Sequence, residues 1–138
     1  MIAPYLDASA IIYLVEGAEV AQGLVAQRIA AAEGDPSGRV LTSQLARLEC
    51  RVKPLRAKNA ALLGTYDAFF TRARLAVVDV SATVIDHATE LRARYGFKTP
   101  DAIHLACAIV AGADVFVTGD AILARCTEIP IEIVSPTP

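Results

Sequence analysis

Four carboxylates stand where the sequence could do chemistry. Asp7 directly follows a short apolar run, Ile2 to Leu6, and precedes Ala8-Ser9-Ala10. Asp101 sits in Thr99-Pro100-Asp101 at the head of an apolar stretch, and Asp120 closes Val117-Thr118-Gly119-Asp120. Glu49 lies between Arg47 and Arg51, about two turns beyond Ser43 if that segment is helical. Carboxylates drawn together repel, so either some take up a proton or a divalent cation neutralises them. Oxygen donors select hard ions such as Mg²⁺ or Mn²⁺. The three cysteines (Cys50, Cys107, Cys126) and two histidines have neither zinc-site nor disulfide-framework spacing. A metal held by carboxylates hydrolyses phosphodiesters by activating water and stabilising the leaving oxygen.

Each acid also has a plainer role. Asp101 suits the first turn of a helix, Asp120 suits a turn or N-cap, and Glu49 between arginines suits a surface ion pair. Asp7 is the strongest single candidate, because after a buried strand it must either be capped by the next helix's N–H groups or hold a ligand. Ser9 either supports it through its hydroxyl or caps that helix. His104, three residues after Asp101, reads first as a hydrogen-bonded core residue and second as a group that orients Asp101 or touches substrate. His87 beside Asp86 reads as surface. There is no GxxxxGK[ST] loop, no GxGxxG after a strand, and no serine or cysteine nucleophile signature.

Alternating strand and helix signals must position these residues. Strands are expected at 2–6, 39–42, 75–80, 113–117 and 131–134. Helices are expected after Asp7, over 18–33, from Ser43 to about Val52 where Lys53-Pro54 ends it, over about 57–73, and from Ser81 to a stop at Gly96. Another opens with Thr99 as N-cap and Pro100 at N1 and runs over Ala102 to Ala111, and a short one follows Asp120. Strands without polar alternation, separated by helices, indicate an α/β fold whose parallel sheet is covered on both faces. Active residues of such sheets collect beyond the carboxyl ends of the strands. Asp7, Glu49, Asp101 and Asp120 would then come from four separate connections to one crevice.

The composition sets outer limits. At 138 residues and 54% hydrophobic, the chain reads as one domain, 1–138, able to bury its own core without disulfides, and not as a disordered tail. Its net charge of −2 argues against a generic polycationic nucleic-acid coat. Absence of a signal-peptide pattern and of a long apolar run leads us to expect a soluble cytoplasmic protein. The charge is uneven. Residues 47–98 hold ten of the thirteen basic residues against five acids, and the remainder holds three against ten. This is either a set of solvated helix faces or a basic rim drawing a polyanion towards an acidic centre.

Taken together, the apolar strand ending in Asp7-Ala8-Ser9, the mid-chain Glu49, the segment Thr99-Pro100-Asp101-Ala102-Ile103-His104-Leu105-Ala106 and Val117-Thr118-Gly119-Asp120 closely resemble the PIN-domain ribonucleases, in particular the VapC-type toxins. The resemblance covers essentially the whole chain. It implies a three-layer α/β/α PIN-like domain with a central parallel sheet of four to five strands. It also implies a Mg²⁺- or Mn²⁺-dependent endoribonuclease, the toxin of a type II, VapBC-like toxin–antitoxin pair. By position, Asp7, Glu49, Asp101 and Asp120 would be the catalytic metal ligands, with Ser9 and Thr118 the supporting hydroxyls. The implied partners are an RNA substrate, often tRNA or ribosomal RNA, a VapB-like antitoxin whose tail blocks the groove, and a second copy in a homodimer, with no membrane. Gly119 departs from the asparagine often found there. That departure motivates an alternative: a catalytically weak PIN-fold RNA-binding or regulatory protein. A phospho-accepting receiver-like domain using Asp79 ranks last, since no lysine follows Lys98.

Overall fold

The strands of this protein are short, the central three buried throughout and the two edge strands partly buried, as the middle of a layered structure requires. The computed structural model describes residues 2–135. In chain order it contains β1 (Pro4–Leu6), α1 (Ala8–Glu16), α2 (Glu19–Gly34), β2 (Val40–Ser43), α3 (Gln44–Arg56), α4 (Ala60–Phe70), β3 (Leu75–Val78), α5 (Ala82–Tyr95), α6 (Thr99–Val110), β4 (Val115–Thr118), a 3₁₀ turn (Ala121–Arg125) and β5 (Ile131–Ile133). All strand pairings are parallel, in the order β3-β2-β1-β4-β5. The expected α/β/α architecture is present with five strands.

Side-chain alternation along the strands sorts the core into two layers. Tyr5, Leu41 and Phe116 point to one face, where they meet α5 and α6 through Val84, Leu91, Leu105 and Ala106. Leu6, Val40, Val115 and Val117 point to the other, against Ile11, Val25, Ile29, Tyr66 and Phe70 of α1, α2 and α4. Each fully buried aliphatic or aromatic side chain contributes about 1.5–3 kcal/mol of transfer free energy. Small residues on α6, namely Ala102, Ala106 and Ala108, are fully buried and let that helix lie close to the sheet.

Local signals set most helix starts. Asp7, Ser43, Asn59, Ser81 and Asp120 each accept a backbone N–H two or three residues onward, as N-caps do. Gly96 ends α5 in the left-handed conformation, at φ 73°. Two expectations fail here. α3 does not stop at Val52 but runs through Pro54 to Arg56. Proline in the last turn forfeits one intrahelical bond, while its ring is buried and the Ala57 amide still reaches Lys53 O at 2.9 Å. Thr99 is not the N-cap of α6; Lys98 holds that place without a side-chain cap, and the Thr99 hydroxyl accepts from Arg92 at 2.9 Å.

The strand order reverses at β1, whose neighbours are β2 and β4. Register pairs Leu6 with Val117, so Asp7 and Thr118 lie side by side where the sheet ends. In open parallel sheets this reversal leaves a crevice beyond the carboxyl ends of the strands, and ligands bind there.

Candidate active site

Asp7 both ends β1 and caps α1. Its Oδ1 accepts from the Ala10 amide at 2.9 Å and from the Ser9 hydroxyl at 2.6 Å, and its Oδ2 accepts from the Thr118 hydroxyl at 2.6 Å. The Ser9 oxygen in turn accepts from the Gly119 amide at 2.8 Å, and the Thr118 oxygen from the Asp120 amide at 3.1 Å. Residues 118–120 are thus stitched to residues 7–9. Burial pushes the Asp7 carboxyl above the ordinary aspartate value, and the bonds from Ser9, Thr118 and Ala10 offset only part of that.

Glu49 is not the surface ion pair that its flanking arginines suggested. Arg51 pairs with Asp67 at 2.9 Å instead, while Glu49 turns inward and its Oε1 accepts from His104 Nε2 at 2.5 Å. His104 is 3% exposed, and its Nδ1 lies 2.8 Å from the Tyr5 hydroxyl, whose oxygen also lies 2.8 Å from Ser43 Oγ. A continuous polar thread therefore runs from the N-cap of α3 through β1 and α6 to a carboxylate of the site. His104 was legible as a hydrogen-bonded core residue, but its partner is Glu49 and not Asp101. Tyr5 escaped notice because it sits in an apolar strand. The only clue was three groups able to hydrogen-bond, Tyr5, Ser43 and His104, in segments expected to be buried.

Asp101 is half-buried in the first turn of α6. Its carboxyl is held above the usual range first by burial and then by the charge of Asp120, with further contributions from Asp7 and Glu49. Asp120 is exposed and caps the 3₁₀ turn through Ile122 N at 3.0 Å. Together Asp7, Ser9, Glu49, Asp101, His104 and Asp120 line one cavity of about 170 Å³. All four sequence-predicted acids meet there, with Thr118 behind Asp7. Asp79, by contrast, follows the edge strand β3, is exposed, and does not line this cavity.

Among the described residues, no three His, Cys, Asp or Glu side chains approach closely enough to form a ready-made ligand set. Like charges hold themselves apart in this way unless a cation draws them in. The donor chemistry nonetheless fits a hard divalent ion, with four carboxylates on one cavity and both histidine nitrogens already occupied. The raised carboxyls of Asp7 and Asp101 are groups that gain from neutralisation by coordination.

The glycine before Asp120 has a spatial cause. A Cβ at Gly119 would lie 2.3 Å from Cε2 of Tyr13, whose ring covers that backbone. The volume a side chain at 119 would occupy is filled from α1, and Asp120 keeps its place on the cavity wall.

This arrangement is that of a known class. A PIN domain family model matches residues 5–129, and the chain belongs to that family. No protein of curated function matches the sequence. Among solved structures it is similar to VapBC-1 of nontypeable Haemophilus influenzae (17% identity, 95% of this chain and 97% of that one, TM-score 0.75). It is also similar to VapBC2 of Rickettsia felis, solved bound to a promoter DNA fragment (17% identity, 94% and 97%, TM-score 0.73). A third is VapC20 of Mycobacterium tuberculosis, a sarcin–ricin-loop cleaving toxin (20% identity, 92% and 98%, TM-score 0.68). At these identities the likeness concerns the fold. No single helix among the described residues is long and apolar enough to cross a bilayer.

Proposed function

We propose that the protein is a metal-dependent endoribonuclease, the toxin of a VapBC-like pair. The observation that carries this reading is the convergence of Asp7, Glu49, Asp101 and Asp120, from four connections, on one cavity at the sheet's reversal point. Asp7, Asp101, Asp120 and Glu49 would hold Mg²⁺ or Mn²⁺. When bound, such an ion supplies an activated water and a counter-charge for the leaving oxygen.

The chain's own residues prepare that chemistry. Ser9 and Thr118 fix both oxygens of Asp7, and His104 fixes one oxygen of Glu49, so two ligands need no reorganisation. The structural neighbours support the biological half of the reading, since they are solved as VapBC complexes or described as an RNA-loop cleaving toxin. On this reading the partners are an RNA such as tRNA or ribosomal RNA, a VapB-like antitoxin occupying the groove, and a second copy of the chain, all in the cytoplasm.

Incubation of the purified protein with RNA tests the reading. Cleavage is expected with Mn²⁺ or Mg²⁺, is abolished by chelator and by Asp7→Asn, and is matched by growth arrest on expression that co-expression of the adjacent small gene relieves. Cleavage that survives both chelator and Asp7→Asn would sink it. RNA binding with neither cleavage nor saturable Mn²⁺ binding would favour an RNA-binding protein with a weak site, the reading motivated by Gly119.

A further inference from the structure

A second cavity, of about 220 Å³, adjoins the first and shares Asp101 and Asp120 with it. Its other side carries Lys98, Arg125 and Ile122. The arginine is fixed in place: Nη2 donates to the Tyr95 carbonyl at 2.9 Å, and the guanidinium lies 5.6 Å from the centre of the Phe97 ring, itself stacked on Tyr95. Neither cation is in an ion pair among the described residues, although two carboxylates share the cavity with them. Arg28, Arg51, Arg72 and Arg94 are paired with acids; Arg39, Arg47, Arg56 and Lys58 are in no ion pair among the described residues either, but unlike Lys98 and Arg125 they line neither this cavity nor the carboxylate one.

Arg125 therefore keeps most of its five N–H donors for an outside oxyanion, held at a set orientation, with a mobile point charge at Lys98 beside it. Ile122 at the rim is 60% exposed, an apolar side chain with nothing to cover it. A ligand matching this wall has a doubly oxygenated anion next to a flat or apolar group, and it must continue into the carboxylate cavity. A nucleic-acid strand meets all three conditions.

We propose that this second cavity binds the phosphate adjacent to the scissile one in a single-stranded RNA. Arg125 and Lys98 take its non-bridging oxygens, and Ile122 packs on the adjoining nucleoside. The inference rests on the nuclease reading and adds the direction in which the strand leaves the centre. The pair sets which phosphodiester lies over the carboxylates, because anchoring one phosphate fixes the position of the next.

Binding of a short, labelled, single-stranded RNA of mixed sequence, followed by anisotropy in chelator across a salt series, tests this separately from cleavage. Lys98→Ala and Arg125→Gln should each weaken binding about tenfold, the loss of one charge-assisted contact. Each should also flatten the slope of log Kd against log salt by about 0.7. Their affinity for Mn²⁺ alone should stay within about twofold of wild type. Arg39→Gln, at the opposite end of the sheet where Arg39 reaches the Ala111 carbonyl, should bind RNA as wild type does. Arg125 also braces Tyr95 and Phe97, so Lys98→Ala, which removes no contact within the chain, serves as the variant free of folding effects. Wild-type affinity and slope in both variants would overturn the inference, as would loss of Mn²⁺ affinity in step with RNA affinity, or no RNA binding by the wild type. A wild type that binds RNA through these residues but cleaves nothing with Mn²⁺ would support the phosphate contacts of Arg125 and Lys98 while removing the nuclease reading and, with it, their register to a scissile phosphate.

Discussion

On one wall of the carboxylate cavity, Asp7 is 5% exposed and takes three hydrogen bonds, from Ser9, Thr118 and the Ala10 amide. On the other, the Asp101 carboxylate has no hydrogen-bond donor among the described residues, and the Asp120 carboxylate accepts only from the Ile122 amide. Glu49 lies between these extremes, with one oxygen held by His104 and its side chain 33% exposed. The first wall is finished before any ligand arrives. The second leaves its lone pairs free and its charges in mutual repulsion. Rigidity sits where the fold itself needs the carboxylate, as a cap and a strand-end tie, and coordinating capacity sits where the fold needs it least.

The largest expected effect comes from breaking the finished wall. Asp7→Asn should lower cleavage by at least about 10²–10³-fold, and it should also alter the pH dependence of stability. Asp7 and Asp101 have folded-state values raised above their unfolded ones. Their favourable contribution is therefore fully present below the unfolded value, about 3.9, and is lost as pH rises through the folded values. Melting temperatures of the metal-free protein should fall between mildly acidic and neutral pH, Asp7→Asn should flatten that fall, and Mn²⁺ should reverse it. A wild-type protein that grows more stable over this range would contradict the assignment.

Next in size is the middle position. His104→Asn keeps a donor near Tyr5 but cannot reach Glu49, whereas His104→Gln can. The first should weaken Mn²⁺ binding about 10–100-fold in calorimetric titration, and the second should recover much of the loss. Equal losses would mean that His104 acts only through packing. Thr118→Val removes the donor to Asp7 Oδ2 at constant shape, which should cost about 1–3 kcal/mol in urea unfolding. Smallest is the loop between the walls. Gly119→Ala should cost about 1–3 kcal/mol through collision with Tyr13, and the double variant Gly119→Ala/Tyr13→Ala should cost less than the two singles combined.

The same contrast explains what was legible in the sequence. Asp7, Asp101 and Asp120 were readable because each lies at a strand end or helix start, where local patterns fix the position of a side chain. The layers were readable because the strands lack polar alternation. Glu49 was identified, but its setting was not. Whether it faces Arg51 or the crevice depends on how α3 leans on α6, and no local spacing encodes that. Pro54 misled for a related reason, since burial of its ring outweighs one lost helical bond. The basic stretch 47–98 looked like a rim, yet Arg51, Arg72, Arg74 and Arg94 are consumed by partners distant in sequence and Arg92 by the nearby Phe97 and Thr99. Of that stretch Lys98 lines the cavity beside the site, together with Arg125 from outside it.

The tie between Asp7 and Thr118 joins residues 111 positions apart in the chain. The β1–β4 pairing spans the same separation, and contacts of such separation form only after the intervening chain has been made. During synthesis Asp7 precedes the hydroxyl that completes its setting by the whole of the intervening chain. A chain ending before β4 carries Asp7 but lacks Thr118 and Asp120, so the carboxylate cavity is incomplete in it. Closure of the carboxylate cavity is thus the last consequence of sheet assembly and not its starting point.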